Sequence, residues 1–354
     1  MRLDRAQHET GDRRQAVWAD GDSERGVHCL GVWTEKRAGL GEDAEPTLVH
    51  HRPSTRGLIG VYDGMGGAGA RLLGRAQDDR PVSNAFVASR LARLTAESWF
   101  LQGRDAGRSL NDSLRDAFNA VQVTGPAKMR GTLARELPTT MALIEYGHEP
   151  ENPEAVRVTA RWAGDSRCYL LTPGDGLRQL SRDDSVVTDP LETLLADQPL
   201  TNHIGAGIQF RVNERILRGE GKPCVLMCAT DGFFGYVPTP AIFEYHLLNM
   251  LDSADTLQHW GELLAGWRLR TSADDATLAL VAVGFEDIAD VRTSFLSRLR
   301  QLADRYWKPL QRLGNGPLSE HGRWQQMVEY RVAAWESYRD RYTELMPTGD
   351  GSSP

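Results

Sequence analysis

Acidic side chains recur at the ends of apolar, strand-like segments of this sequence, each beside a small residue. Four such segments end in acids and a fifth begins with a pair of them: Glu42-Asp43, Asp63-Gly64, Asp165-Ser166, Asp231-Gly232 and Asp274-Asp275. One acid beside a glycine is ordinary turn chemistry. Five such places indicate that carboxylates from distant parts of the chain converge at one edge of a sheet.

Convergence of this kind needs a counter-charge. Two carboxylates about 4 Å apart repel by about 4 kcal/mol at an effective dielectric constant near 20. Divalent cations would remove that repulsion. Because the candidate ligands are all oxygen atoms, with no His or Cys among them, they favour Mg²⁺ or Mn²⁺ over zinc. Two such ions can clamp a phosphate ester and ionise a bridging water for in-line attack.

The most informative stretch is residues 57–67, Gly57-Leu-Ile-Gly-Val-Tyr-Asp-Gly-Met-Gly-Gly67. Its first half is apolar and predicts a buried strand that ends at Asp63. The glycines that follow allow a tight turn and a close approach of the backbone to a ligand. Taken alone, this stretch fits a turn in which Asp63 caps its own backbone as well as it fits a metal or phosphate site.

The remaining pattern predicts the elements that position these acids. Strands are separated by hairpins or by runs of helices rather than by strict alternation, which favours antiparallel sheets and an α+β fold. Residues 183–207 are irregular or partly helical and would suit a surface flap. Strands are predicted at 28–37, 57–62, 139–146, 156–163, 168–172, 177–180, 208–217, 223–229 and 275–285, and helices at 81–102, 109–121, 240–251 and 256–269.

Composition narrows the classes of function. The formal net charge of −7 argues against a nucleic-acid or anionic-membrane surface, since both need a basic excess. No apolar run is long enough to cross a bilayer, and the N-terminus has no apolar segment of the secretory kind. The four cysteines have no zinc-finger spacing and are expected to be buried and reduced. We therefore expect a cytoplasmic protein.

Several motifs, taken together, resemble those of the bacterial branch of the PPM family, the metal-dependent Ser/Thr protein phosphatases. They occur in the family's order over residues 28–285. The matching segments are Val61-Tyr-Asp-Gly-Met-Gly-Gly67, Pro138-Thr-Thr-Met-Ala-Leu143, Gly164-Asp-Ser-Arg167, Ser181-Arg-Asp-Asp-Ser185, Leu200-Thr-Asn-His-Ile-Gly205, Ala229-Thr-Asp-Gly-Phe-Phe234 and Asp274-Asp-Ala-Thr-Leu278.

This resemblance implies a central antiparallel β-sandwich flanked by helices, with a site for two Mn²⁺ or Mg²⁺ ions at one end. Asp63 would bridge both ions, the Gly64 carbonyl would contact one of them, and Asp231 and Asp274 would complete the other. Glu42 and Asp43 match the family's Glu-Asp pair, which holds the second ion partly through water. Asp165 matches an acid that helps to bind a third, weaker ion.

The sequence departs from the family pattern at three places. Met65 stands where animal members have a His, so that motif supplies no general acid. The phosphate-binding Arg of the family lies four residues before the Glu, whereas here Arg37 lies five and Lys36 six residues before Glu42. Arg71 and Arg75 are alternative phosphate contacts. Gly235 replaces an Asp that usually follows the residue matching Asp231, which weakens the case for a third ion.

Four regions are predicted: an N-terminal arm (1–27), a catalytic domain (28–285), a C-terminal helical appendage (286–346) and a disordered tail (347–354). The appendage consists of helices at 288–313 and 319–346, joined by Gly314-Asn-Gly-Pro317. Its second helix carries a stripe of apolar positions spaced by three and four residues. This stripe packs either on its own domain or on a partner. The stripe comprises Trp324, Val328, the stem of Arg331, Trp335, Tyr338 and Tyr342.

The leading functional prediction is hydrolysis of phosphoserine and phosphothreonine on proteins by a metal-activated water. The family's substrates imply a Ser/Thr kinase or its targets as the partner. The alternative is a phosphatase-like regulatory or scaffold protein with weak or no activity, which binds a partner through its fold and helical appendage. Hydrolysis of a small phosphoester is a third reading.

Overall fold

The computed structural model describes residues 14–69, 72–75, 81–103, 107–121, 137–149, 152–187, 189–195, 198–313 and 320–348. Within them, two antiparallel sheets stack into a sandwich. The first sheet contains, in spatial order, β1 (Gln15–Asp22), β2 (Val27–Thr34), β13 (Ala276–Val283), β12 (Cys224–Ala229), β9 (Arg167–Thr172) and β10 (Gly176–Gln179). The second contains β11 (Asn213–Gly221), β8 (Asn152–Ala163), β7 (Met141–Glu149), β4 (Arg56–Val61) and β3 (Thr47–His51).

Helices cover both outer faces of the sandwich. The outer face of the second sheet packs on α2 (Asn84–Gln102) and α3 (Leu110–Ala120), and that of the first sheet on α6 (Pro240–Asp252), α7 (Leu257–Thr271) and α8 (Ile288–Leu302). The smaller elements are α1 (Gly66–Gly69), the pair β5 (Leu72–Arg75) and β6 (Pro81–Ser83), α4 (Glu192–Leu195) and α5 (Asp231–Phe234). The chain continues through a π-helical turn (Ala303–Trp307) into α9 (Lys308–Leu313), α10 (Glu320–Glu336) and α11 (Arg339–Thr343). The predicted α+β sandwich with a C-terminal helical hairpin is confirmed.

Strand β12 shows why these residues form a sandwich. Its alternate residues Cys224, Leu226 and Cys228 face the core between the sheets, while Val225 and Met227 face the helices. A strand with apolar residues on both faces is stable only when both faces are covered. All four cysteines are buried and free, as expected, and the sulfurs of Cys168 and Cys228 lie 4.0 Å apart.

The C-terminal helices belong to the same apolar cluster as the first sheet. Phe295, Tyr306, Trp335 and Tyr342 are at most 5% exposed in that cluster. A buried ion pair adds to the attachment: Arg298 donates two hydrogen bonds to Glu244, at 2.8 and 2.7 Å, and the Tyr338 hydroxyl donates a third. Trp324, by contrast, is 64% exposed, and Val328 is also exposed. The predicted stripe therefore packs on its own domain at its C-terminal end and faces solvent at its N-terminal end.

The sequence missed several short strands. Residues 15–22, placed in a loose arm, form the edge strand β1, paired along its length with β2. β1 lies at the edge of its sheet and is only partly buried, so its sequence carries a weak apolar signal and does not predict a strand. β3 was not predicted, and β5 lies in a stretch that was read as loop. Residues 1–13, 76–80 and 349–354, and Arg71 with them, lie outside the described residues.

In the part of the chain covered by the structure, no helix is both long and apolar enough to span a membrane.

Candidate metal centre

Strand register brings the predicted acids to one edge of the sandwich. In the first sheet, β2 ends at Thr34 opposite Ala276, the first residue of β13, and Ala229 at the end of β12 pairs with Arg167 at the start of β9. In the second sheet, the end of β4 pairs with the start of β7, which in turn pairs with the end of β8. Because antiparallel neighbours begin where their partners end, the loops that carry all of these acids share one edge.

Five of the acids perturb one another electrostatically. Burial, followed by the charges of Asp43 and Asp231, raises the pKa of Asp63 well above its usual value. Burial and the Asp231 charge do the same for the pKa of Asp165. Burial and the Asp231 charge also raise the pKa of Asp274 to about 6, although this residue lies at the exposed rim. The predicted convergence is therefore present as a network of like charges.

Asp43 is the most buried member of this network, at 2% exposure. Burial and the nearby Asp275 charge raise its pKa well above the usual range. Its Oδ2 accepts hydrogen bonds from the hydroxyls of Thr230, at 3.1 Å, and Thr277, at 2.8 Å. These threonines come from the loops that carry Asp231 and Asp274, so neutral donors join three acid-bearing segments.

Glu42 faces the first turn of α2. The Ser83 hydroxyl, at the N-cap of that helix, donates to Glu42 Oε1 at 2.5 Å, and burial raises the Glu42 pKa. The Glu42 carbonyl accepts from Ser89 Oγ at 2.5 Å and from Arg90 Nη1 at 3.2 Å. Arg90 Nη2 reaches the Asp43 carbonyl at 3.0 Å. The helix thus fixes the backbone of the Glu-Asp pair, a role that the sequence did not assign to Ser83, Ser89 or Arg90.

Asp275 ties the loop before Glu42 to the start of β13. Its carboxylate accepts the backbone N–H groups of Lys36, at 2.8 Å, and Glu42, at 2.6 Å. The side chains of Lys36 and Arg37 are exposed. The Lys36 charge opposes the rise in the Asp274 pKa. Through this charge and its backbone bond to Asp275, Lys36 is the predicted phosphate contact that the structure links to the acidic loops.

Glycine at position 64 is required by close packing. A Cβ there would lie 2.5 Å from the Glu42 carbonyl oxygen and 2.7 Å from that of Ala85. The preceding Asp63 carbonyl accepts from Thr139 Oγ1, at 2.6 Å, and from the Thr140 N–H, at 2.9 Å. The turn after β4 is thus held against both the Glu42 loop and β7.

Arg268 is a buried residue of the site region that the sequence did not reveal. It has 0% exposure, and its guanidinium donates to the Gly232 carbonyl, at 3.2 and 2.9 Å, and to the Gly235 carbonyl, at 3.1 Å. Burial lowers its pKa to about 10. The contact fixes the short turn that begins at Asp231. No spacing rule links Arg268 to that turn, because it comes from the last turn of α7, 36 residues after Gly232 along the chain.

Donor type and charge at this edge fit a hard divalent cation. All the candidate donors are oxygens, and their mutual repulsion is the cost that a cation would relieve. As placed, however, Asp231 Oδ1 accepts the Gly232 N–H at 2.6 Å, and Asp274 Oδ1 accepts the Asp275 N–H at 2.9 Å. Among the described residues, no group of three or more His, Cys, Asp or Glu side chains could hold an ion in this arrangement. An ion held by three or more of these side chains would therefore require some of them to rotate.

A small cleft adjoins the acids on the side of the predicted flap. It is lined by Asp165 and Asp231 from the acidic edge and by Arg167, Asp183, Ser185 and Thr193 around it. Arg167 Nε and Nη2 both donate to the Asp183 carboxylate, the shortest contact being 2.6 Å. Part of the predicted flap thus forms a wall of this cleft.

The metal-free protein should become more stable at about pH 8 when Asp63 is replaced by Asn, because one of the mutually repelling charges is lost. The melting temperature should rise by roughly 2 °C for each kcal/mol of repulsion removed. A carboxyl whose pKa is raised by folding binds its proton more tightly in the folded chain. The penalty of its charge therefore disappears as the pH falls towards the unfolded pKa, and the advantage of Asp63→Asn should shrink with it.

Thermal unfolding in EDTA at several pH values tests this comparison. Burial lowers the pKa of His246 to about 4, so low pH destabilises the folded chain through this residue. The effect is the same in both proteins and cancels in their difference. At high pH, Mn²⁺ should stabilise the wild type more than Asp63→Asn. A metal-free Asp63→Asn protein that melts below the wild type at about pH 8 would contradict mutual repulsion.

Comparison with known proteins gives matches at the level of structure. No protein-family model and no curated protein matches the sequence. A bacterial serine phosphatase, solved as a point mutant, aligns with a TM-score of 0.50 and 19% identity, covering 77% of this chain and 98% of that one. Serine/threonine phosphatase Stp1 from Staphylococcus aureus gives 0.48 and 19%, covering 77% and 95%. The Mycobacterium tuberculosis serine/threonine phosphatase PstP/Ppp gives 0.47 and 19%, covering 76% and 98%. The chain thus has the fold of the PPM-type bacterial serine/threonine phosphatases.

Proposed function

We propose that this protein hydrolyses phosphoserine and phosphothreonine on proteins with the help of Mn²⁺ or Mg²⁺. The observation that carries the proposal is the cluster of mutually perturbing carboxylates at one edge of a phosphatase fold. A binding module has no use for clustered like charges, whereas an ion-dependent phosphatase needs them. Phosphorylated proteins, including a Ser/Thr kinase or its targets, are the proposed substrates.

The proposed ligands are those assigned from the sequence. Asp63 would serve both ions and the Gly64 carbonyl one of them. Asp231 and Asp274 would complete one ion site, and Glu42 and Asp43 would hold the second ion, partly through water. Asp165 is the proposed ligand of a third, weaker ion. When bound, divalent ions supply a Lewis-acidic centre for the phosphate and a water of lowered pKa.

The chain's own residues would position these ligands and the substrate. Thr230 and Thr277 hold Asp43, and Arg90 holds the backbone that carries it. Lys36, near Asp274, would contact the substrate phosphate, and Arg37 would do so from the same exposed loop. We further propose that residues 28–285 together with β1 form the catalytic body and that residues 286–346 are an appendage to it.

Asp63→Ala and Asp231→Ala should each abolish Mn²⁺-dependent hydrolysis of p-nitrophenyl phosphate and of a phosphothreonine peptide, with losses of at least about 100-fold. Both substitutions remove a proposed ion ligand. Asp340→Ala is the matched control, because Asp340 lies on the appendage with its side chain 95% exposed. Turnover is measured by release of p-nitrophenolate or of inorganic phosphate. Wild-type protein that shows no turnover with any divalent cation would refute the proposal.

Lys36→Ala should raise KM for the phosphopeptide by about tenfold, the effect of one lost charge-assisted contact. Arg37→Ala should raise KM less. The reason is that the Lys36 backbone N–H donates to Asp275 at 2.8 Å, which fixes this residue beside the acidic edge. Steady-state kinetics at fixed Mn²⁺ measures the difference. Equal kinetics for Lys36→Ala and wild type would remove Lys36 from the phosphate site.

A phosphatase-like scaffold is the second candidate function. It is favoured by the hydrogen bonds that occupy one oxygen each of Asp231 and Asp274. The replacement of the family's usual Asp by Gly235 also favours a scaffold, because it removes a possible ion ligand. Calorimetric titration separates the two functions, since tight ion binding without turnover of any phosphoester would identify the scaffold.

A further inference from the structure

The cleft beside the acidic edge has one wall that is held from the far end of the chain. We call residues 183–187 and 189–195, which include α4, the wall segment. Ser185 and Thr193 of this segment line the cleft together with Asp165 and Asp231. The wall segment has little regular structure, so its position depends on contacts with other elements.

The first such contact runs through Arg167, two residues after Asp165. Arg167 is 1% exposed, and its Nη2 donates to Asp183 and to Thr193 Oγ1, each at 2.6 Å. Its Nη1 lies 3.5 Å from the hydroxyl of Tyr342, which is itself 1% exposed on α11. Arg167 also stacks over the Phe234 ring at 4.2 Å. One guanidinium therefore contacts both ends of the wall segment, the acidic edge and the C-terminal helices.

The second contact is made by Trp335, near the end of α10. Its indole Nε1 donates to Asp189 Oδ2 at 3.2 Å, while Asp189 Oδ1 accepts the Leu191 N–H at 2.9 Å. Trp335 packs edge-to-face on Tyr342, with ring centroids 5.7 Å apart. A buried indole N–H needs a polar partner, and here the partner belongs to the wall segment.

We propose that Trp335 and Tyr342 are positioning residues of the cleft: the C-terminal helices hold the wall segment in place and thereby set the affinity of the cleft for a phosphorylated peptide. Packing alone would explain the aromatic rings but not the direction of their polar atoms, which reach the wall segment and the arginine that binds it. The proposed effect on peptide affinity, which we call the affinity clause, rests on the proposed function. The proposed placement of the wall segment by the C-terminal helices, the positioning clause, does not.

Hydrogen–deuterium exchange of the full chain tests the positioning clause. Tyr342→Phe removes only a hydroxyl, and Asp189→Asn places an amide against the indole N–H while its oxygen can still cap α4. The double variant should exchange the wall segment at least about fivefold faster than wild type, the factor expected when one of its two lost hydrogen bonds counts in full, with exchange in the strands unchanged. Tyr330→Phe is the matched control, because the Tyr330 hydroxyl bonds to the Tyr306 carbonyl, at 3.0 Å, within the appendage. Unchanged exchange in the double variant, or an equal effect in Tyr330→Phe, would overturn the proposal.

Kinetics with a phosphopeptide test the affinity clause. The double variant should raise KM about fivefold and leave kcat unchanged, since the wall segment lines the cleft but supplies none of the proposed ion ligands. A fall in kcat at constant KM, or faster exchange with unchanged KM, would overturn the affinity clause. If the wild type hydrolyses no phosphoester, the proposed function fails and exchange alone decides the role of Trp335 and Tyr342.

Discussion

Repulsion between carboxylates that share one partly buried edge is the constraint on which the rest of this structure depends. The buried arginines that the structure describes around this edge do not form hydrogen bonds with the clustered carboxylates. Arg90 and Arg268 are turned towards backbone carbonyls, and Arg167 is paired with Asp183. The Lys36 charge opposes the rise in the Asp274 pKa, but the Lys36 side chain is exposed to solvent. An edge built in this way leaves negative charge available for ions from solution, and such ions are what a phosphate ester needs for binding beside carboxylates.

The acids are held by neutral donors and by backbone contacts, which fix them without cancelling their charge. Hydroxyls of Ser83, Thr230 and Thr277 bind the carboxylates of Glu42 and Asp43. Arg90, from a helix on one face of the sandwich, binds carbonyls of the Glu42-Asp43 loop, and Arg268, from a helix on the other face, binds carbonyls of the turn that begins at Asp231. Both helical layers therefore contribute to the position of the edge, which explains why a site of few residues needs a large sandwich around it. The C-terminal helices add a third attachment, on the cleft side.

Much of this arrangement could be predicted from the sequence, and the failures have physical causes. The acids at strand ends were visible because Asp63 and Asp231 each interrupt an apolar run and precede a glycine. The residues that position them were not, because Arg90 and Arg268 look like ordinary polar positions of helices, and their targets are carbonyls, which leave no trace in side-chain spacing. β1 was missed because an edge strand needs only one buried face. In the C-terminal stripe, spacing revealed the helical face, but only packing could show that Trp335 is buried and Trp324 exposed.

Counting the ions in crystals soaked with Mn²⁺, by anomalous diffraction at the manganese edge, tests the proposed metal centre most directly. We expect two strong peaks bounded by Asp63, Asp231, Asp274 and the Glu42-Asp43 loop, with Asp231 and Asp274 rotated away from the backbone N–H groups that donate to them in the absence of metal. A well-ordered acidic edge that carries no anomalous peak at saturating Mn²⁺ would contradict this proposal.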